Sequence, residues 1–442
     1  MHKIVLSLIT VLTLSAYGDE SDNLLDGFDD SITEEVVEDS NSTENEPKEE
    51  KKSFIDGFTG KLTQQIAYSP NSDKPHNDIS SFKSSLFLDY EHKFDNGYRF
   101  KVNGKAYYDS IYDIRGKEDY TKEELSALKD EVELFDAYLE GSITENFDFK
   151  VGRQVVIWGR SDTIRVTDIL NPLDNRRPAM VDIEDLRLPV AMAKFDYFVG
   201  DWRITPMAIL EQRFSKNPPY GSPFSPAPAP MPKDEDYSDV TYALSVGGEF
   251  SGWDINFYGA QIYNDIGVVN PTLKIEHDKI DMYGTAFNLL SGSWLFKGEM
   301  AYFDGLKYFS TKDDSFSRAD MLVGLEYKGI ADTLISYDFA IRHINDWDSR
   351  LLKEYNPIEE NTYQNALRVS SDFFNATLTG NYLISLYGKN LDEGGFQRLW
   401  FDYEIADGIN TTFGVVDYIG GSRLFDGIEN DDMIYADISY SF

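Results

Sequence analysis

Gly97-Tyr98-Arg99-Phe100-Lys101-Val102-Asn103-Gly104-Lys105-Ala106-Tyr107-Tyr108-Asp109-Ser110-Ile111-Tyr112-Asp113-Ile114 is the stretch that decides the fold. Tyr98, Phe100, Val102, Gly104, Ala106, Tyr108, Tyr112 and Ile114 fall on one side of a period-two chain. Arg99, Lys101, Asn103, Lys105, Tyr107, Asp109 and Asp113 fall on the other. Such alternation predicts a long strand with one apolar and one polar face. The pattern repeats at Ser84, Leu86, Leu88, Tyr90; at Phe147, Phe149, Val151; at Met321, Val323, Leu325; at Ile335, Tyr337, Phe339; and at Ile434, Ala436, Ile438, Tyr440. Strand interiors of about 10 residues match a tilted membrane-crossing strand rather than the usual globular five or six.

The links between strands alternate in length. Short ones carry Gly, Asn or Asp, as at 95–97, 144–146, 199–201, 251–252, 291–293, 331–332, 374–375 and 406–408. Those residues supply the positive φ of tight hairpins. Long ones lie between them, at about 113–130, 159–188, 214–237, 265–277, 305–317 and 346–360. This parity predicts an all-β transmembrane antiparallel barrel of about 18 strands, with 16 as the alternative. The chain ends Ile438-Ser439-Tyr440-Ser441-Phe442. An alternating last strand closing on Phe resembles the assembly signal of bacterial outer-membrane barrels, so Ile438, Tyr440 and Phe442 are expected to be read by barrel-assembly machinery.

Composition excludes other classes. With 41 Lys+Arg against 77 Asp+Glu, the formal net charge is −36, which opposes nucleic-acid binding. There is no cysteine, hence no disulfide framework and no thiolate metal site. The five histidines show no metal spacing, and no cofactor motif or catalytic set stands out. Met1–Ala16 has a basic start and an apolar stretch too short to anchor, followed by Gly18. Residues 1–18 are therefore expected to be a signal peptide. Residues 19–52 hold 14 acidic and 3 basic side chains and are expected to be a disordered periplasmic segment, open to a periplasmic partner. Residues 53–442 form the expected barrel, in a bacterial outer membrane, with lipid and lipopolysaccharide around it.

The loop 159–188 mixes charges of both signs with Ile, Leu and Val at intervals. Long loops with their own structure are usually functional. It is expected to fold into the barrel and narrow it, with Arg160, Asp162, Arg165, Asp168, Arg176, Arg177, Asp182 and Glu184 at the constriction. A folded external cap held by its own ion pairs is the other reading. Arg99, Lys101, Lys105, Lys150 and Gln154 are expected to line one side of the lumen, and Asp338, Arg342 and Asp402 the other. This arrangement is either a transverse field or mutual charge satisfaction. Arg153 falls on the apolar register, and a bulge at Gly152 is expected to turn it inward. The Pro-rich stretch 218–232 is expected to be an extended, exposed spacer.

Gly152-Arg153-Gln154-Val155-Val156-Ile157-Trp158-Gly159, followed by Asp168-x-x-Asn171-Pro172, resembles an uncharacterised porin-like family of Gram-negative outer-membrane barrels. Phe442 and the Asp26-Gly27-Phe28 lead are similar too. The resemblance implies a barrel without catalytic residues. It also implies that some members work beside inner-membrane transporters of lipids or other hydrophobic compounds. The leading expectation is a channel for small solutes rather than an enzyme. The alternatives are transport of hydrophobic compounds, faintly suggested by Met207 and Ile209 on the polar register, and a surface receptor with a closed lumen. No motif sets the oligomeric state.

Overall fold

The structure, a computed structural model, describes residues 57–442 except 226, 312, 313, 355 and 422; the side chains of Ile183, Glu184, Arg423 and Leu424 are likewise outside it. The expected signal peptide and acidic segment lie outside the described residues.

Twenty strands follow one another among the described residues. They are β1 Phe58–Ser69, β2 Asp78–Lys93, β3 Arg99–Asp109, β4 Asp130–Thr144, β5 Phe147–Gln154, β6 Val190–Val199, β7 Trp202–Ile209, β8 Thr241–Phe250 and β9 Trp253–Tyr263. After the small hairpin β10 Val268–Val269 and β11 Ile275–Glu276 come β12 Lys279–Ser291, β13 Trp294–Leu306, β14 Phe316–Ile330 and β15 Thr333–Asn345. The chain ends with β16 Asn361–Phe373, β17 Leu378–Tyr387, β18 Gly395–Ala406, β19 Ile409–Ile419 and β20 Met433–Ser441. All but the small hairpin join one antiparallel sheet of 18 strands.

The sheet closes on itself. β20 pairs with β1 from Lys61 opposite Ser441 to Tyr68 opposite Ile434. Two further bonds extend the seam: Gly60 N–H to Phe442 O at 2.8 Å, and Phe442 N–H to Gly60 O at 2.9 Å. The Phe442 ring lies over Gly60, 2.5 Å from where a Cβ would stand, so a side chain there would turn the ring aside. Closure removes both sheet edges, as a strand in hydrocarbon requires. Ile438, Tyr440 and Phe442 are exposed on the outer face of this seam.

Alternation sorts the side chains as the sequence predicts. Phe287, Leu289, Phe296, Met300, Tyr302, Met321 and Val323 are exposed on the outside. Lys297, Glu299 and Asp320 on β13 and β14, and Asp338 on the neighbouring β15, are buried inside. A continuous apolar exterior of this extent marks a membrane surface. Short turns take positive φ at Gly97, Gly200, Gly252, Gly292, Asp332, Asn375 and Gly408.

The stretch 97–114 departs from the expected strand at its end. β3 stops at Asp109, and Ile111–Arg115 turns into a helix instead of continuing the strand. Asp109 is fully buried. Its carboxylate accepts from Ser81 Oγ at 2.6 Å and from the backbone N–H of Phe82 at 2.8 Å and Ile111 at 3.2 Å. The last of these bends the chain out of the ladder. Ile111 and Tyr112 then pack on Leu128 of a second helix, Lys122–Leu128.

Candidate functional site: the inserted segment 155–189

The long connection from β5 to β6 crosses the interior of the barrel. Its neck is tied by the two polar residues of the Asp168-x-x-Asn171 motif. Asn171 Oδ1 accepts from Val156 N–H at 2.8 Å, and its Nδ2 donates to Leu188 O at 2.9 Å. One side chain thus joins the outgoing and returning limbs. Asp168 is 4% exposed. It accepts from Trp158 N–H at 3.3 Å, Arg165 Nε at 3.2 Å and Arg187 Nε at 2.9 Å. Pro172 O accepts Leu188 N–H at 2.7 Å beside them.

Past the neck the segment meets the wall. Trp158 stacks on Tyr258 of β9 with ring centroids 4.5 Å apart. Glu299 of β13, 2% exposed, is the principal anchor. Its Oε1 accepts the N–H groups of Arg160 at 2.6 Å and Ser161 at 3.0 Å. Its Oε2 accepts Thr167 N–H at 3.0 Å and Thr167 Oγ1 at 2.7 Å. Gly159, at φ +95°, turns the chain around this carboxylate, and a Cβ there would lie 2.9 Å from Glu299 Oε2. Asp338 of β15 accepts the hydroxyls of Ser161 at 2.7 Å and Thr163 at 2.6 Å. Arg160 pairs with Asp254 of β9. Asp162 lies 3.3 Å from Lys297, which also meets Glu326 at 3.1 Å.

The far half reaches the opposite strands. Arg176 bridges Asp174 and Glu131 of β4, each at 2.6 Å. Burial alone would raise the Asp174 carboxyl, but its bonds to Arg176 hold it below the usual range. Arg177 meets Asp109 of β3 at 3.0 Å. Tyr418 of β19 donates to Pro178 O at 2.6 Å. Asp182 meets Arg368 of β16 at 3.0 Å and Arg398 of β18 at 3.1 Å. Partial loss of hydration, then the neighbouring Asp182, pushes Asp185 above the usual carboxylate range. Glu184 is the one expected constriction residue whose side chain lies outside the described residues.

The inner face of the wall is largely self-neutralised. Arg99 pairs with Glu140 and Glu91, Lys101 with Asp89, and Lys150 with Glu140. Lys105 is exposed on the same inward face. Gln154 donates its amide to three backbone carbonyls, those of Lys150, Gly152 and Met192, and so finishes the end of β5. Asp402 accepts from Thr412 Oγ1 at 2.8 Å and Asn381 Nδ2 at 3.2 Å. Arg342 donates to Gln364 at 3.1 Å and to Arg165 O at 3.2 Å. Sequence reasoning missed Glu299, Arg368 and Trp400. Parity sends all three inward or outward correctly, but gives no sign of what each will touch.

Comparison with known proteins now places the fold in a lineage. The family model described as "Protein of unknown function (DUF1302)" matches residues 71–442. The chain belongs to the DUF1302 family. No curated protein matches it. Solved barrels do. Acinetobacter baumannii OccAB3 is 12% identical with a TM-score of 0.51, over 87% of this chain and 98% of that one. The outer membrane protein OpdK from Pseudomonas aeruginosa is 11% identical with a TM-score of 0.53, over 88% and 100%. A BenF-like porin from Pseudomonas fluorescens Pf-5 is 12% identical with a TM-score of 0.54, over 87% and 98%. The DUF1302 chain therefore has the porin fold.

Three expectations need correction in this DUF1302 barrel. No register shift occurs at Gly152, and Arg153 keeps the outward parity, opposite Ala137 and Ala191. It lies next to the last residue of β5 rather than near mid-span, and its guanidinium is paired with Glu211 just past β7. Pairing at the strand end replaces the bulge as the way the cost is met. Met207 and Ile209 point inward but are covered, in one cluster with Ile164, Val166 and Leu170 of the segment. They present no apolar lumen surface. The first half of the Pro-rich stretch also folds back, since Phe224 is 6% exposed and lies 5.5 Å from Tyr418, while 228–231 stay exposed.

The Arg153–Glu211 pair has a pH signature. Burial alone would raise Glu211, but its bonds to Arg153 and to Ala191 N–H hold its carboxyl below 4.5. A depressed carboxylate contributes stability above its unfolded value and loses it as pH falls through the folded one. The thermal stability gap between the native chain and Glu211→Gln in detergent is expected to be constant near neutrality. It should close below pH 4.5. A gap that keeps its neutral-pH size however far the pH falls below 4.5 would refute the pairing as its source.

Proposed function

We propose that this chain is a non-enzymatic outer-membrane channel of a Gram-negative bacterium, passing small polar solutes through a lumen narrowed by the segment 155–189. The observation that carries this is the reach of the segment. Its contacts run from Asp254 and Glu299 to Arg368, Arg398, Glu131 and Asp109, on strands distributed around the ring. A segment so tied restricts any path along the barrel axis, and the charges it carries act at close range on a passing solute. The fold shared with OccAB3, OpdK and the BenF-like porin supports the channel class. The structure of OpdK with vanillate is a precedent for a small organic solute in such a barrel.

Purified protein in a planar bilayer is expected to give stepwise currents. A variant with residues 161–186 replaced by a short Gly-Ser linker is expected to give steps several-fold larger. A silent native barrel would overturn the channel reading. Equal steps in both would overturn the narrowing.

A further inference from the structure

The segment ends its crossing on a pair of arginines, and the manner of its attachment points to a ligand. Asp182 precedes the short helix Ile183–Leu186, yet its side chain makes no capping bond there. It turns instead to the wall. Oδ2 accepts from Arg368 Nη2 at 3.0 Å and Oδ1 from Arg398 Nη1 at 3.1 Å. Behind them lies Trp400, 4% exposed. The guanidinium of Arg398 stands 3.6 Å from the centre of its ring, and that of Arg368 stands 5.9 Å away.

These two bonds under-use the arginines. Each guanidinium spends one N–H on Asp182, at a length above the roughly 2.7–2.9 Å of a good charge-assisted bond. The Nε of Arg368 is buried with no hydrogen-bond acceptor. Two forks built for bidentate carboxylate recognition are thus held by one carboxylate on a tethered loop. Lys61 and Lys105 are exposed on inward faces nearby, and both charges act on Asp185 one turn further on. The wall here supplies the cations and the segment supplies the anions.

We propose that Arg368 and Arg398, backed by Trp400, form a binding site for the carboxylate of a small organic anion, and that Asp182 occupies it as a built-in competitor. This rests on the reading of the lumen as a solute path and names the solute class. An incoming carboxylate takes both guanidiniums, including the free Nε of Arg368, and Asp182 moves into lumen water. The charge at the site stays balanced through the exchange. A neutral molecule of the same shape gains nothing from the arginines and cannot displace Asp182. The segment therefore acts as a carboxylate-selective stop rather than a fixed plug.

Equilibrium binding of benzoate, against its neutral isostere benzamide, tests this on the full chain in detergent. Binding needs no conduction, so a barrel silent in bilayers overturns the channel reading and not this site. A site free for about a tenth of the time binds tenfold more weakly than an open one. Asp182→Asn and Asp182→Ser are both expected to tighten benzoate about tenfold and leave benzamide unchanged. Both residues suit a helix start. Adding Arg398→Gln to Asp182→Asn is expected to abolish the gain. If neither single variant tightens benzoate, or if benzamide gains as much, Asp182 is a structural pin and the proposal fails.

Discussion

Glu299→Ala is expected to detach the inserted segment while leaving the barrel closed. The carboxylate satisfies three backbone N–H groups and one hydroxyl from Arg160, Ser161 and Thr167. Its removal strands these donors in a site that is 2% exposed at residue 299. A buried donor without a partner costs about 1–3 kcal/mol. Even with partial rescue by lumen water, the loss comes to roughly 3–5 kcal/mol on the same basis. The wall does not share this cost, because its ladders from β12 to β13 and from β13 to β14 run through the backbone. The folded barrel should therefore keep its heat-resistant gel mobility while protease cuts appear within 160–187. Single-channel steps should grow several-fold. Glu299→Gln should behave nearly as badly. Each carboxylate oxygen now takes two donors, and the amide would turn one oxygen into a competing donor. A variant with native protease resistance would show that the remaining contacts hold the segment without Glu299.

Most of the wall was legible because a period of two carries its own test. Phe296, Met300 and Tyr302 outside imply Lys297 and Glu299 inside, and a slip of one residue would bury every charge in lipid. Loop parity then gave the strand number. Legibility failed where a polar contact overrides alternation. Tyr112 and Ile114 continue the pattern beyond Asp109, but the Asp109 carboxylate caps a turn there. It failed again at Arg153, whose partner Glu211 lies 58 residues away. Within the segment, charge mixing marked a stretch whose charges pair with the wall. It did not separate anchors from exposed charges. Arg165 and Arg176 looked like free selectivity groups, yet Asp168 holds the first, and Asp174 and Glu131 the second. Asp162 and Asp182 keep the character of lumen charges, since their partners belong to the wall and their side chains remain 47% and 22% exposed.

The neck of the segment allows a prediction in which two changes harm less than one. Asp168 and Arg187 are each 4% exposed and joined at 2.9 Å. Asp168→Ala leaves the Arg187 guanidinium buried and without its counter-charge. Breaking a buried pair by removing one partner costs about 3–5 kcal/mol. Arg165, the other cation on Asp168, has a side chain 20% exposed and can turn to water. Arg187 has no such exit, and its Nη1 is buried without a hydrogen-bond acceptor already. Removing both charges removes both desolvation costs, so Asp168→Ala with Arg187→Met is expected to be more stable than Asp168→Ala alone. Hydrogen exchange locates the effect. Amides of Val156, Trp158 and Leu188 should lose protection in the single variant, because their acceptors are Asn171, Asp168 and Pro172 of the neck. The double variant should restore Val156 and Leu188, which depend on Asn171 and Pro172. It should not restore Trp158, whose acceptor is gone. Simple additivity of the two substitutions would mean that Arg187 reaches water once Asp168 is lost, and the neck would then be held by Asn171 and the Pro172–Leu188 bond.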